Sequence, residues 1–425
     1  MGKRNVPSGP SNKVDPRVVA ESYTRRVMLT RASAVAGGLT VLPAVLAACG
    51  SSGSSSTAAT TGGATTSGGG ESGSFGSLST NPTKISGFQP FDSSVAPGPE
   101  TGLPTHIATN FPAGSEYFDN FAKNVEKAVK DRGLEFSSTT WESDVAQNIA
   151  QLKQLQTTGV GSIIAQVQDE HGESATLLEA IKAGICVVYS VAGPSTLQII
   201  TDQYKGGLTQ GEQAAKWIEE NLGGQAQVVV FNDDQIAEAL IPRAEGRVAG
   251  VEKAGSGVKI VANQPIKQLT AQEGNELAST LLQAHPDANV WMADDDTALG
   301  VVSALEAAGK TPDDKIYVSG FNGEPKALDA VKAGGLLRED IAFPNAVYEY
   351  AVGQFCCDWI EGKSIPSVVD LKTQVVTPEN VDAVLANEAN PASVFEGSEI
   401  DQLLGFYGNT SFAEPSYTPS GITSE

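Results

Sequence analysis

From Thr105 onward the chain alternates short apolar stretches with amphipathic ones in a regular beat. "THIATNF" reads as a strand. In the following "EYFDNFAKNVEKAVKDRG", Tyr117, Phe121, Val125, Ala128 and Val129 share one helical face, and Gly133 is a stop. "LEFSSTTW" (strand), "VAQNIAQLKQLQTTG" (helix), "SIIAQV" (strand), "ESATLLEAIKAG" (helix) and "ICVVYSV" (strand) complete a first run. A second run begins with the helix "LTQGEQAAKWIEENLGG" and strand "QVVVF". It continues through a helix around "RAEGRVAGVEKAG", strand "KIVANQ", helix "EGNELASTLLQAHP", strand "NVWMA", helix "TALGVVSALEAAGK" and strand "KIYVSGF". Strands alternating with helices predict parallel sheets with right-handed crossovers, and two runs predict two doubly wound α/β lobes. In such sheets a ligand sits beyond the carboxyl ends of the strands, so the residues just after each strand are the candidates for chemistry.

Upstream the pattern dissolves. Residues 50 to 76 are Ser, Thr, Gly and Ala with almost no large apolar side chain, and 77 to 104 are Pro-rich; together, 49–104 reads as a flexible tether. Before it, Ala32 to Ala48 form an apolar run too short for a membrane span and interrupted by Gly37, Gly38 and Pro43, which suits a removable signal over residues 1–48. Thr24-Arg25-Arg26-Val27-Met28-Leu29 resembles the twin-arginine export motif. Leu46-Ala47-Ala48-Cys49 resembles a lipobox, in which the cysteine thiol is acylated. These features predict an exported protein, anchored by lipid on Cys49 to the outer face of the bacterial cytoplasmic membrane. The chain's net charge is −22; the first 48 residues hold seven Lys/Arg and two acids, so residues 49–425 carry −27. A surface that acidic repels nucleic acid and anionic lipid heads. Of the four cysteines, Cys49 goes to lipid, while Cys186, Cys356 and Cys357 define no disulfide framework and read as buried free thiols.

The ends of the later strands carry a resemblance. "AHPDANVWMADDDTALGVVSALEAAGK" followed by "KIYVSGFNGEPKALDAVKAGG" is similar to the periplasmic-binding-protein type I family, in its ribose-binding-protein-like branch. "ITDQYKGG" resembles that family's first lobe crossover and "VVTPENVD" its closing strand; the match runs from about Thr105 to Val384. The resemblance implies two lobes joined by three crossover strands, near Ser190–Asp202, Phe343–Pro344 and Leu371. The N-terminal lobe would hold 105–200 plus 344–370, the C-terminal lobe 201–343 plus 371–385, with 386–425 an extension. It implies a monomeric solute receptor for an ABC importer permease, with no cofactor. Carried over by position, the ligand-binding residues are Asn110, Phe111, Tyr117, Phe118 and Gln166 on the first lobe, and Arg243, Asp294, Phe321 and Asn322 on the second. Trp141 and Phe343 join this set. Aromatic faces suit the C–H faces of a sugar ring, and carboxylate, amide and guanidinium groups suit its hydroxyls.

Two departures shift the expected ligand. Sugar-binding members place an Asp-Arg pair where this chain has Val191-Ala192, and a Gln where it has Phe343. The cleft loses polar partners and gains apolar surface, which points to a deoxysugar, polyol or other small polar metabolite. A ligand-sensing subunit for a membrane signalling protein, or a receptor for a non-sugar metabolite, would share this fold and site. The folded region lacks G-x-S-x-G, H-E-x-x-H, a P-loop and a G-x-G-x-x-G after its first strand, and His106, His171 and His285 are widely spaced, so an enzyme is disfavoured. Asp294-Asp295-Asp296 leave a strand in different directions and read as one ligand contact plus capping and packing, with no metal. Trp217 and Trp359 fall in helical patterns and read as core. Arg243 and Asp294 are expected to line a cleft that is wet when open, so that their loss would weaken binding and spare folding.

Overall fold

The computed structural model describes residues 85–416, apart from 143, 167–168, 191–193, 234 and 237–239. The export signal, Cys49, most of the tether and Val191-Ala192 lie outside the described residues, as do the side chains of His171 and Ser190.

The first run folds as expected. Strand β1 (His106–Pro112) leads to helix α1 (Glu116–Asp131), β2 (Glu135–Trp141), α2 (Val145–Thr158), β3 (Ser162–Gln166), α3 (Glu170–Lys182), β4 (Cys186–Ser190) and β5 (Leu197–Ile200). Phe121, Val125, Ala128 and Val129 are the buried face of α1, as their spacing requires. Asp144 caps α2 by accepting from the amides of Ala146 and Gln147, and Gly159 ends it in the left-handed region.

The second run begins with α4 (Gln203–Leu222), about a turn before the expected start at Leu208. The cause is Asp202, whose carboxylate accepts from the Lys205 amide at 2.8 Å and nucleates the helix early. There follow β6 (Ala226–Asn232), α5 (Ile241–Val251), β7 (Val258–Pro265), α6 (Ala271–Ala284), β8 (Val290–Met292), α7 (Asp295–Ala307), β9 (Tyr317–Asn322), α8 (Pro325–Ala333) and β10 (Leu337–Ala342). Helix α9 (Asn345–Ile360), β11 (Val368–Leu371), β12 (Gln374–Val376), α10 (Val381–Ala389), α11 (Pro391–Glu396), α12 (Ile400–Leu403) and β13 (Leu404–Tyr407) complete the chain.

Two sheets result, in the orders β13-β11-β5-β4-β3-β1-β2 and β12-β10-β9-β8-β6-β7. Every described pairing is parallel except at one edge of each sheet, where β13 runs antiparallel to β11 and β12 antiparallel to β10. Strands covered on both faces are near-continuous apolar runs, and both faces of each sheet bury their own apolar cluster. The chain passes between the sheets at Thr201–Asp202, Phe343–Pro344 and Lys372–Thr373. One apolar cluster bridges this region, joining Phe321, Ile341 and Phe343 of the second lobe to Phe121, Val347 and Tyr348 of the first.

Two segments outside the alternating runs pack on the first lobe. The lead-in from Ile85 is not a free tether: Phe91 packs on the first lobe's core, Pro90 bridges to Tyr407, and the Thr101 hydroxyl donates to the Ile360 carbonyl at 2.8 Å. Large apolar side chains at Phe88, Phe91 and Leu103 anchor it. The C-terminal extension likewise returns to the first lobe, and its β13 becomes an edge strand there. Cys186, Cys356 and Cys357 are free and buried, and Trp359 is core.

Candidate ligand-binding site

The carboxyl ends of β6, β8 and β9 face the N-terminal turns of α4, α5 and α7, and a charged network is built there. Arg243 enters from the first turn of α5, where Pro242 fixes the helix start. Asp294, between β8 and α7, occupies the N-cap position but makes no side-chain cap. Its carboxylate instead turns to α5. Oδ2 accepts from Arg243 Nη1 at 2.6 Å, and Oδ1 accepts from Arg247 Nη2. Arg247 is fully committed: Nε donates to Gln210 at 2.7 Å, Nη1 to the Phe231 carbonyl at 2.8 Å, and the same Nη1 lies 3.5 Å from Asp233 Oδ2. Gln210 in turn donates to the carbonyls of Ala293, Ser319 and Gly320, tying α4 to β8 and β9.

Arg243 completes the network outward. Its Nε donates to Gln203 Oε1 at 2.8 Å and Nη1 to Asn322 Oδ1 at 3.2 Å, while Nη2 has no partner among the described residues. The guanidinium lies 4.0 Å from the centre of the Phe321 ring, whose other neighbour is Phe343, edge-on at 5.4 Å. Asn322 holds φ at 131°, a costly region for a residue with a side chain. Asn345 secures that turn by donating to the carbonyls of Asn322 and Gly323.

Burial alone would raise the Asp294 carboxyl; the two guanidiniums outweigh it and hold the group below its ordinary range. Asp233 goes the other way. Burial, reinforced by the negative charge of Asp294, pushes it up to about 7 despite Arg247 and Arg243.

On the first lobe the expected residues form two further groups. Asn110 is buried with its amide engaged at both ends, donating to Asn148 at 2.5 Å and accepting from the Thr139 hydroxyl at 3.0 Å. Asn148 donates to Glu173, which also accepts from the Tyr189 hydroxyl at 2.5 Å, and the Gln166 carbonyl lies 3.5 Å from the same Asn148 nitrogen. The aromatic group sits behind: Phe111 packs against Phe118 and Phe121 in the core, and the hydroxyls of Tyr117 and Tyr348 are hydrogen-bonded. Trp141 ends β2, buried, with its indole N–H unpartnered among the described residues.

The structure therefore joins Arg243, Asp294, Phe321, Asn322 and Phe343 directly, and sets Asn110 and Gln166 apart in a first-lobe amide network. It also brings in residues that the sequence pattern does not single out: Arg247, Gln210, Gln203, Asp233, Asn148 and Glu173. Arg247 was findable, since it lies one helical turn after Arg243 and shares its face. Arg243 is 3 % and Asp294 1 % exposed in this structure, each set against a buried group of opposite charge. Among the described residues no group of three or more His, Cys, Asp or Glu is arranged to hold a metal ion.

Two doubly wound lobes joined by crossovers, with a charged network at the carboxyl ends of the second lobe's strands, define an architectural class, the two-lobed α/β folds. Comparison with known proteins makes this specific. The periplasmic binding protein domain matches residues 108–351, more than half of the chain, and the chain belongs to that family. It is 28 % identical over 285 residues to the D-ribose/D-allose-binding protein of Pseudomonas aeruginosa, covering 63 % of this chain and 85 % of that one. It is 25 % identical over 236 residues to the ribose import binding protein of Salmonella typhimurium, covering 54 % and 76 %. The fold also matches the crystal structure of a Caulobacter myo-inositol binding protein bound to myo-inositol, with a TM-score of 0.57 at 20 % identity over 73 % of this chain and all of that one.

Proposed function

We propose that this protein is an exported, lipid-anchored receptor that binds a small uncharged polyhydroxy solute (a sugar, deoxysugar or polyol) between its lobes and delivers it to an ABC importer permease. The observation that carries the reading is the state of the second lobe's cations. Arg243 and Arg247 already face Asp294, and Asp233 adds a second carboxyl, so a phosphate or carboxylate on the solute would meet no uncompensated positive charge. What remains for a solute on this lobe is hydrogen bonding, chiefly Arg243 Nη2, with Phe321 beneath the guanidinium and the aromatic residues Tyr117, Phe118 and Phe343 proposed as its apolar wall. Hydroxyls with an apolar ring face match that offer. The names of the ribose- and allose-binding relatives point the same way. The anchor rests on the Leu46-Ala47-Ala48-Cys49 sequence; Cys49→Ala should abolish lipid labelling, and labelled protein surviving that change overturns it.

The solute reading is tested by calorimetry with D-ribose, D-allose, xylitol and myo-inositol against D-ribose 5-phosphate and D-glucuronate. At least one neutral compound should bind about tenfold or more tighter than either anion. Preference for an anion, or binding of none, overturns the reading.

A further inference from the structure

Besides the three crossovers, the described chain passes between the lobes once more. Strand β12 lies in the second sheet, antiparallel to β10, and β13 lies in the first, antiparallel to β11. Residues 377–403 between them therefore form a fourth passage, and it is packed at both ends. Helix α10 lays Val381 and Val384 on Leu328, Ala342 and Val376 of the second lobe. Helix α11 sets Phe395 against Tyr350 and Phe355 of the first-lobe helix α9, with ring centres 6.0 and 5.8 Å apart.

The same passage holds two of the three crossovers. Glu388 Oε2 accepts at 2.7 Å from the Ala346 amide, in the first turn of α9 and just past Phe343–Pro344. Lys372, in the last crossover, donates its amide to the Leu403 carbonyl at 3.0 Å and its Nζ to the Asp401 carbonyl at 2.5 Å. The Thr201 hydroxyl donates to the Leu371 carbonyl at 3.3 Å, which ties the first crossover to the last. A passive covering would lie on one lobe, whereas residues 377–403 grip both lobes and the hinge chain between them. These contacts are made in the arrangement in which Glu116 of one lobe reaches Lys326 of the other, so they favour the lobes together.

We infer that residues 377–403 are a hinge strap, a fourth tie between the lobes that limits how far they part. Its effect on affinity rests on the solute receptor proposed above; its effect on the solute-free protein does not. Lobes that turn about their crossovers shift the chain at those points. Carrying Ala346 away from Glu388, or Lys372 away from Asp401 and Leu403, breaks hydrogen bonds and pulls α10 or α11 off its apolar seat. The strap thus narrows the open ensemble. A slack strap leaves a smaller fraction of the free protein ready to close, and apparent affinity falls with that fraction.

The test uses two variants of the full chain. One inserts Gly-Ser-Gly-Ser between the exposed residues Ala389 and Asn390, which slackens the passage and leaves α10 and α11 each on its own lobe. The other, Glu388→Ala, removes the grip on α9. By small-angle scattering the solute-free radius of gyration should rise in both, with melting temperatures within a few degrees of the wild type's. Calorimetry with whichever of D-ribose, D-allose, xylitol and myo-inositol the wild type binds most tightly should show affinity about threefold or more weaker. Saturating solute should return wild type and variants to one radius. An insertion variant with the wild type's free radius and affinity overturns the strap, and so does tighter binding, which would mean that the passage opposes closure. Glu388→Ala decides in the same terms should the insertion prevent folding. If the wild type binds none of the four compounds, the solute reading fails, and the solute-free radii still decide the strap.

Discussion

Three consecutive acids leave the end of β8 in three directions, and each meets a different fate. Asp294 is neutralised by two guanidiniums. Asp295 turns inward, accepting from the Glu324 amide at 2.7 Å and facing Asp340 of β10 across the bare α-carbon of Gly320. A β-carbon on Gly320 would stand 2.4 Å from Asp295 Oδ1 and 2.3 Å from Asp340 Oδ2, so glycine is what allows the two buried carboxyls to meet. Asp296 stays half-buried. Burial pushes Asp340 from 3.8 to about 6, with Glu324 adding to the rise, and burial together with the Asp340 charge pushes Asp295 up as well. The unfolded chain gives up these protons at lower pH than the folded one, so the Asp340 contribution to stability falls as pH climbs from about 4 to about 6, and Asp295, raised well above its ordinary range, adds a further fall as pH rises. Asp340→Asn should therefore raise the melting temperature by several degrees at pH 7.5 and by much less at pH 4.5. Equal melting of variant and wild type at pH 7.5 refutes the strained pair.

The charged residues of the second lobe behave oppositely on substitution. Asp294→Ala strands two buried guanidiniums and should cost about 3–5 kcal/mol of folding stability in urea titrations, beyond any effect on binding; a loss under about 1 kcal/mol would mean that the site is wetter than its burial indicates. How much of this was legible is clear from the residues. The positions of Arg243, Asp294, Phe321 and Asn322 came from the family resemblance, carried over by position. The partners did not, because Gln210, Arg247 and Asp233 meet only when two helices and two strand ends converge, and a linear pattern does not show which polar side chains on a helix face will be enclosed.

At the scale of elements, what brings the arginines into place is the closeness of α4 and α5. A β-carbon on Gly207 would lie 1.9 Å from the Arg243 carbonyl oxygen, and one on Gly246 would lie 2.2 Å from that of Tyr204. Backbone therefore packs on backbone, and Arg243 and Arg247 reach Asp294 from a helix that stands close to the sheet. Gly207→Ala must push α5 outward at a cost of about 1–3 kcal/mol. It should also weaken solute binding, because both guanidiniums move with the helix. An unchanged melting temperature together with unchanged affinity would show that the helices can part without consequence. The alternation of strand and helix was readable along most of the chain, since buried strands and amphipathic helices differ in period. The packing of the lead-in and of the C-terminal extension left no signal in the pattern, because scattered aromatics among prolines and turns carry no period; Phe91 and Tyr407 find their partners only in three dimensions.

At the scale of the molecule, the contacts between the two lobes are of unequal weight. Glu116 at the start of α1 pairs with Lys326 of α8 at 2.5 Å, but the lysine side chain is 68 % exposed, and such pairs contribute between nothing and about 1 kcal/mol. The apolar cluster of Phe321, Ile341, Phe343, Val347 and Tyr348 lies where the chain crosses between the sheets and is buried throughout. Apolar contact at the crossovers can persist while the lobes rotate, whereas the surface pair must break as they part. We propose that the lobes close on the solute; closure should then draw its energy from the solute's own bonds to both lobes, with the ion pair a minor contributor. Lys326→Ala should change solute affinity by less than about fivefold, and raising salt to 0.5 M should do no more, since the Debye length then shrinks to a few ångström. Small-angle scattering should show the radius of gyration falling when the tightest-binding neutral sugar or polyol is added, in wild type and Lys326→Ala alike. Compaction that disappears in the variant would make the surface pair the true latch, and binding with no compaction in either would remove closure from the mechanism.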